Sequence, residues 1–354
     1  MKQKLTRREI PLIFLLLVLC LAVWFISVGG QSVKTSDYEV RLAAARRMQA
    51  CMDAVKNYKQ ERNIPLNPED IFGTGMLGEE YNGITTTLGD LQAKRTTANS
   101  DMAALCVALL EKAGVKQGDT VGVGVSGSFP SMNLAVLCAC EEMKVKALTI
   151  PSVGASTYGA NNPELTFPAM LKLLVKDGLL TDNVLRVTLG GDSDCGLSMD
   201  PNLRNQVEQS LHNLGITLWK EPDFQKNLQE RMALYEEYGP ISCYVGVGGN
   251  MTSIGVSGKK MVYGVTGPKT VLAPVTEKSG LLDLYHDKGL PVINLLDIKK
   301  LCTDYGLPFD PAVLSEPGTS TIYYVTTYSV PAVITALLLA FVILVLYWRG
   351  RKKR

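Results

Sequence analysis

Two segments of this 354-residue chain set small hydroxyl and amide side chains directly after an apolar run that breaks into glycine. The first, VGVGVSGSFPSMN (121–133), carries Ser126, Gly127, Ser128, Ser131 and Asn133. The second, YVGVGGNMTS (244–253), carries Gly249 and Asn250. Glycine lets a backbone turn with positive φ and come close to a ligand. The N–H groups that open a following helix attract anions. Binding of a carboxylate or phosphate near 128–133 is the chemistry this pattern suggests. The alternative is that such turns only serve to pack a parallel sheet. The glycine spacing fits neither the dinucleotide fingerprint nor the P-loop. GVSGS (124–128) lacks the last glycine of a nucleophile elbow. If Ser126 or Ser128 acted as a nucleophile, it would need a base. His286, between Asp283 and Asp287, is the candidate, because His212 reads as a surface residue in mid-helix.

A second polar stretch, PSVGASTYGANNPELT (151–166), holds Ser156, Thr157, Asn161 and Asn162 and has only one charge, Glu164. A loop of that length without regular pattern is uncommon unless it binds or covers something. Its hydroxyls and amides suit a ligand that makes many hydrogen bonds; local Asn and Ser turns are the plainer account. In GGDSDCG (190–196), Asp192 and Asp194 offer the oxygen ligands that Mg²⁺ or Ca²⁺ takes, or else form Asx turns. No His/Cys set has zinc spacing, and no cofactor motif is present, so none is expected.

These residues need elements to hold them. Apolar residues at three- and four-residue steps predict helices over 38–62 and 100–113. Beyond 114 the pattern alternates. Strands are expected at Thr120–Ser126, 146–150, 184–189, 216–219, 241–247, 261–264 and Val292–Leu295, with helices at 131–143, 167–177, 201–214, 224–238, 281–288 and 297–305. Such alternation predicts an α/β fold with a mainly parallel sheet and flanking helices. Right-handed crossovers would gather the loops after the strands along one edge.

Both ends of the chain are apolar. Residues 10–28 and 330–348 are uncharged 19-residue runs, long enough to span a bilayer as helices. Lys2, Lys4, Arg7 and Arg8 precede the first, and Arg349, Arg351, Lys352, Lys353 and Arg354 follow the second. Positive flanks stay cytoplasmic, which predicts a two-pass protein of the inner membrane with both termini inside and its main domain outside. The organisation expected is cytoplasmic tails at 1–9 and 349–354, membrane helices at 10–28 and 330–348, a helical part at 29–113, an α/β domain at 114–310 and a linker at 311–329. The first apolar run is longer than a signal-peptide core and no A-x-A site follows it, so it reads as a retained anchor. Between the anchors lie 27 basic and 33 acidic residues, a net charge of −6. That domain is a poor generic trap for nucleic acid. Seven cysteines lie there, an odd number, mostly among apolar neighbours; they read as buried thiols, some of which could pair.

Residues 122–171 and YVGVGGNMTSIG (244–255), with an apolar segment at each end, resemble the poly-γ-glutamate system protein family of bacteria. The resemblance implies an accessory role in making or exporting this anionic polymer, with membrane subunits of that machinery as partners and the polymer as a ligand. It supplies no catalytic residues. The ligase of such systems uses ATP, and this chain has no P-loop. Lys259, Lys260 and Lys269 are the candidates for a local basic groove. A hydrolase or transferase acting on γ-glutamyl amides, and a receptor for a small polar metabolite, are the alternatives.

Overall fold

The computed structural model describes residues 10–256 and 263–352. The tail at 1–9, Arg354 and Lys353, the pair Lys259 and Lys260, and the first residues of the 261–264 strand lie outside the described residues. The chain forms two compact units: the described residues up to Ser36 together with those from Tyr324, and Asp37–Tyr323.

The larger unit is α/β, built on a five-stranded sheet. Its order is Lys146–Ser152, Thr120–Ser126, Cys243–Val247, Val292–Leu295 and Gly264–Thr266. The first four are parallel, and the last closes the edge antiparallel to Val292–Leu295. The chain leaves Thr120–Ser126 toward one side through the helix Pro130–Met143. It leaves Cys243–Val247 toward the other through Leu281–Asp287. The order therefore reverses between these two strands. In open α/β sheets that switch point opens a crevice at the carboxyl ends of the strands.

Side-chain alternation along Thr120–Ser126 explains its glycines. Val121, Val123 and Val125 are buried on one face. Gly122 and Gly124 point to the other, where Tyr235, Tyr244 and Tyr285 cluster between the sheet and the helices Phe224–Glu237 and Leu281–Asp287. Tyr244 stacks on Tyr285 with ring centroids 5.1 Å apart, and Tyr235 meets both edge-on. A Cβ at Gly124 would sit 2.2 Å from Tyr244 Oη. These two glycines make room for aromatic bulk, and the buried tyrosines supply much of the core energy on this face.

The strands expected at 184–189 and 216–219 are only single parallel bridges, Thr149 to Val184, Ser152 to Thr188 and Val187 to Leu218. Pro151 accounts for the first of these. The N–H groups of Thr149 and Val153 donate outward to Asn183 and Thr188 at 2.9 and 3.0 Å. Pro151, between them, has no N–H to give, and the ladder cannot run on.

The N-terminal helices are not a separate part ending at 113. Tyr38–Glu61 and Asp101–Lys112 pack on Pro130–Met143 and on each other, inside the same unit as the sheet. The linker expected at 311–329 also differs: Ile322 and Tyr323 are buried, and Tyr323 Oη donates to Asp101 Oδ1 at 2.6 Å. A helix that the sequence reading did not anticipate, Leu91–Thr97, is capped by Asp90, whose carboxylate accepts from Ala93 N–H. All eight cysteines are free thiols, and six of the seven between the apolar ends are buried.

The smaller unit joins the chain ends. Gln31–Lys34 and Tyr324–Thr327 pair antiparallel, Gln31 against Thr327 and Lys34 against Tyr324. The helices Ile10–Val28 and Val330–Lys352 leave this ribbon and touch each other. Val330–Arg349, 20 residues with mean hydropathy 2.7 over its best 18-residue window, is long and apolar enough to cross a membrane; the clearly apolar stretch of the first helix, Ile13–Trp24, is shorter.

Candidate functional site

A cavity of about 440 Å³ opens at the carboxyl ends of the strands, in the range of small-molecule sites. Ser126, Ser128 and Phe129 line it from the first glycine loop, and Gly249, Asn250, Met251 and Thr252 from the second. The two loops meet there: a Cβ on Gly248, whose φ of +73° is a glycine conformation, would lie 3.7 Å from Ser126 Oγ and from Ser128 Cβ. Ser152, Gly154 and Ser156 form another wall, and Gly190, Gly191, Asp192 and Asp194 a third. The last comes from an unexpected place: Thr86, Thr87, Leu88, Gly89, Asp90 and Ala93 close the cavity from the N-terminal segment.

Of the residues singled out in the sequence, Ser126, Ser128, Ser156, Gly249, Asn250, Asp192 and Asp194 come together at this cavity. The others hold its frame. Gly127 packs against the Val153 carbonyl, where a Cβ would come within 2.5 Å. Asn133 donates its amide to the Ser126 carbonyl at 2.7 Å, pinning the strand end, and Ser131 is buried beside it in the first helical turn. Thr157 exchanges hydrogen bonds with Gly89, its hydroxyl donating to the carbonyl at 3.1 Å and accepting the N–H at 2.7 Å. Asn161, fully buried, clamps Glu79 by accepting its N–H and donating to its carbonyl, both at 2.9 Å. Asn162 accepts the Glu164 N–H in a local turn. His286 lies elsewhere, its Nε2 3.1 Å from the Gly267 carbonyl, and it does not line the cavity. A Ser126–His286 pair is therefore not assembled.

Asp194 is committed to a buried network. Arg231 meets its Oδ2 at 2.6 Å, Asn227 donates to the same oxygen at 3.1 Å, and Thr188 donates to Oδ1 at 2.9 Å. Arg231 also lies over the Trp219 ring. With its oxygens so occupied, Asp194 has little left for a cation, and among the described residues no cluster of three or more His, Cys, Asp or Glu has the arrangement of a metal site. Asp192 is exposed at the rim.

Sequence reading passed over Lys94. This residue of the Leu91–Thr97 helix is 2% exposed. Its Nζ donates to the Ser128 carbonyl and lies 2.6 Å from Ser156 Oγ, with the Phe129 ring centroid 4.0 Å away. No carboxylate among the described residues lies within ion-pair distance of it. Burial pushes its pKa down to about 7, opposed by the charge of Asp90. QAKRTT (92–97) has no apolar stripe to mark a buried lysine; only the Asp90 cap hinted at the helix that carries it.

Charge also marks the cavity. Its lining holds Asp90, Asp192 and Asp194, and among the described residues it holds no Lys, Arg or His. Hydroxyls and glycine backbone make up most of the remaining polar surface.

No protein-family model matches this chain, no curated protein matches it in sequence, and no solved structure matches its fold.

Proposed function

We propose that this chain is a membrane-tethered accessory protein of poly-γ-glutamate synthesis or export, held at both ends and working on the outer side of the inner membrane. The observation that carries the reading is the Gln31–Lys34/Tyr324–Thr327 ribbon. An antiparallel pair sends both flanking helices off the same end, as two spans with both tails on one side would require. Basic flanks at both tails agree with a cytoplasmic location for them. Paired spans also suit docking to other membrane subunits. The cavity then receives a group that is rich in hydrogen-bonding partners, presented by the polymer or by a partner subunit. To test the polymer part, oligo-γ-glutamate of defined length is titrated into the full chain in nanodiscs by calorimetry, at low and high salt. Binding tighter than roughly 1 mM, weakened by Ser128→Ala, is the expected outcome; no heat at either salt concentration removes the polymer from the reading.

One observation favours a second reading. A lining whose aspartates outside the Asp194–Arg231 ion pair, Asp90 and Asp192, meet no cation in the lining among the described residues repels a polycarboxylate and suits an uncharged or cationic polar metabolite. A receptor-like domain would bind such a compound and leave oligo-γ-glutamate in solution.

A further inference from the structure

We infer that Ser156 and Lys94 form a nucleophile–base pair that transfers acyl groups from small uncharged esters or amides bound in the cavity. This goes beyond a tethering or binding role and does not depend on the polymer.

Lys94 Nζ donates to Ser156 Oγ as an ammonium, and the same short distance lets the neutral amine accept the hydroxyl proton instead. Ser156 lines the cavity, and its Oγ lies 2.6 Å from Lys94 Nζ. A neutral amine has two N–H groups and one lone pair. One N–H is accepted by the Ser128 carbonyl, leaving the lone pair for the Ser156 hydroxyl proton. Lys94 has no carboxylate partner among the described residues, and the Phe129 ring and the surrounding core exclude water from it. Desolvation draws its pKa toward neutrality, where a general base works best. Ser156 is also fixed by its backbone: its N–H donates to Ser128 Oγ at 3.1 Å, and its short strand pairs with Thr85–Thr87. Two neighbouring features set the substrate class. Asp90 and Asp192 in the lining disfavour anionic acyl groups, and Gly89, where a Cβ would come within 2.7 Å of Ser156 Oγ, leaves space beside the hydroxyl.

The step balances as follows. Ser156 Oγ forms a bond to the carbonyl carbon while its proton passes to Lys94 Nζ. The bond from that carbon to the leaving oxygen or nitrogen then breaks, and Lys94 returns the proton to the leaving group. Water next adds to the acyl carbon and gives a proton to Lys94. The acyl–Oγ bond breaks, releasing the acid, and Lys94 restores the proton to Ser156.

The test uses the full chain in detergent micelles with p-nitrophenyl acetate, a neutral activated ester. Peptide mapping by mass spectrometry should find acetyl on Ser156, formed at a rate that rises with pH and levels off above about 7. Ser156→Ala, which removes only the hydroxyl, should abolish that label with the circular dichroism spectrum unchanged. Lys94→Met should slow acetylation about 100-fold or more. Lys94→Arg should fail to restore it, because guanidinium keeps its proton and has no lone pair for the task. If Lys94 only pins the loops, arginine rescues the rate. That result, acetyl on Lys94 with none on Ser156, or no acetylation of Ser156 at any pH from 6 to 9, overturns the proposal.

Discussion

Among the described residues two lysines are buried, and their surroundings differ. Lys59, on the Tyr38–Glu61 helix, is 3% exposed and donates to the Leu77 carbonyl at 2.6 Å. Burial lowers its pKa to about 8, less far than Lys94, because Asp70 and Glu79 both pull it back up. Asp70 is itself the hub of a tight turn, accepting from Thr74 and Gly75 N–H at 3.1 and 2.7 Å. Lys59 therefore ties an irregular loop to a helix; among the described residues its Nζ meets no hydroxyl, and it does not line the cavity at the strand ends. Lys94 ties a loop as well, but the group it meets is a serine that faces a cavity. Burial depresses both amines alike; what separates a pin from a base is the atom at the end of the side chain and whether a ligand can reach it.

The comparison breaks or sharpens on pH. Both lysines have folded pKa values below the unfolded value near 10.5, so the unfolded chain holds the extra proton between the two. Stability must rise with pH across that window and be flat below the folded value. Lys94 should contribute about 3 kcal/mol of added stability between pH 6 and 9, a rise that Lys94→Met removes, as read by urea unfolding at both pH values. Lys59→Met should remove only about 1 kcal/mol over the same interval, because its window opens near pH 8. An equal loss from the two variants would erase the distinction. Ser156→Ala should cost about 1 kcal/mol at pH 9 through the lost hydrogen bond, an effect with no counterpart at Lys59. The smallest effect belongs to Asp90→Asn. Asparagine still caps the Leu91–Thr97 helix, but the attraction that props up the Lys94 pKa is gone. The onset of the stability rise should move to lower pH, with a change at pH 6 of roughly 0.5–1 kcal/mol.

Regular elements were legible where hydrophobic period and length agreed. Thr120–Ser126, the Pro130–Met143 helix and the two glycine loops stand where the residues place them, and the loops converge as right-handed crossovers require. Pattern alone misled where a single residue governs the ladder: 184–189 alternates like a strand, yet Pro151 on its neighbour withholds the donor. Glycines 122 and 124, whose spacing matches no phosphate motif, answer to Tyr235 and Tyr244, a pairing between residues more than 100 positions apart. Lys94 was hidden for the same reason. Nothing local says that 86–94 folds back over the strand ends, because that fit depends on tertiary contacts such as Gly89 with Thr157.

The Gln31–Lys34 strand pairs with Tyr324–Thr327, and Gln31 meets Thr327 across 296 residues of sequence. During synthesis the first strand is made before the Asp37–Tyr323 unit and the second after it, so the ribbon can close only once that unit exists. Until then Gln31–Lys34 is an unpaired edge beside an apolar helix, open to other chains. Closure of the ribbon thus reports that the intervening unit has been made. A chain cut before 324 lacks the partner strand and presents that open edge whether or not the 37–323 unit has folded.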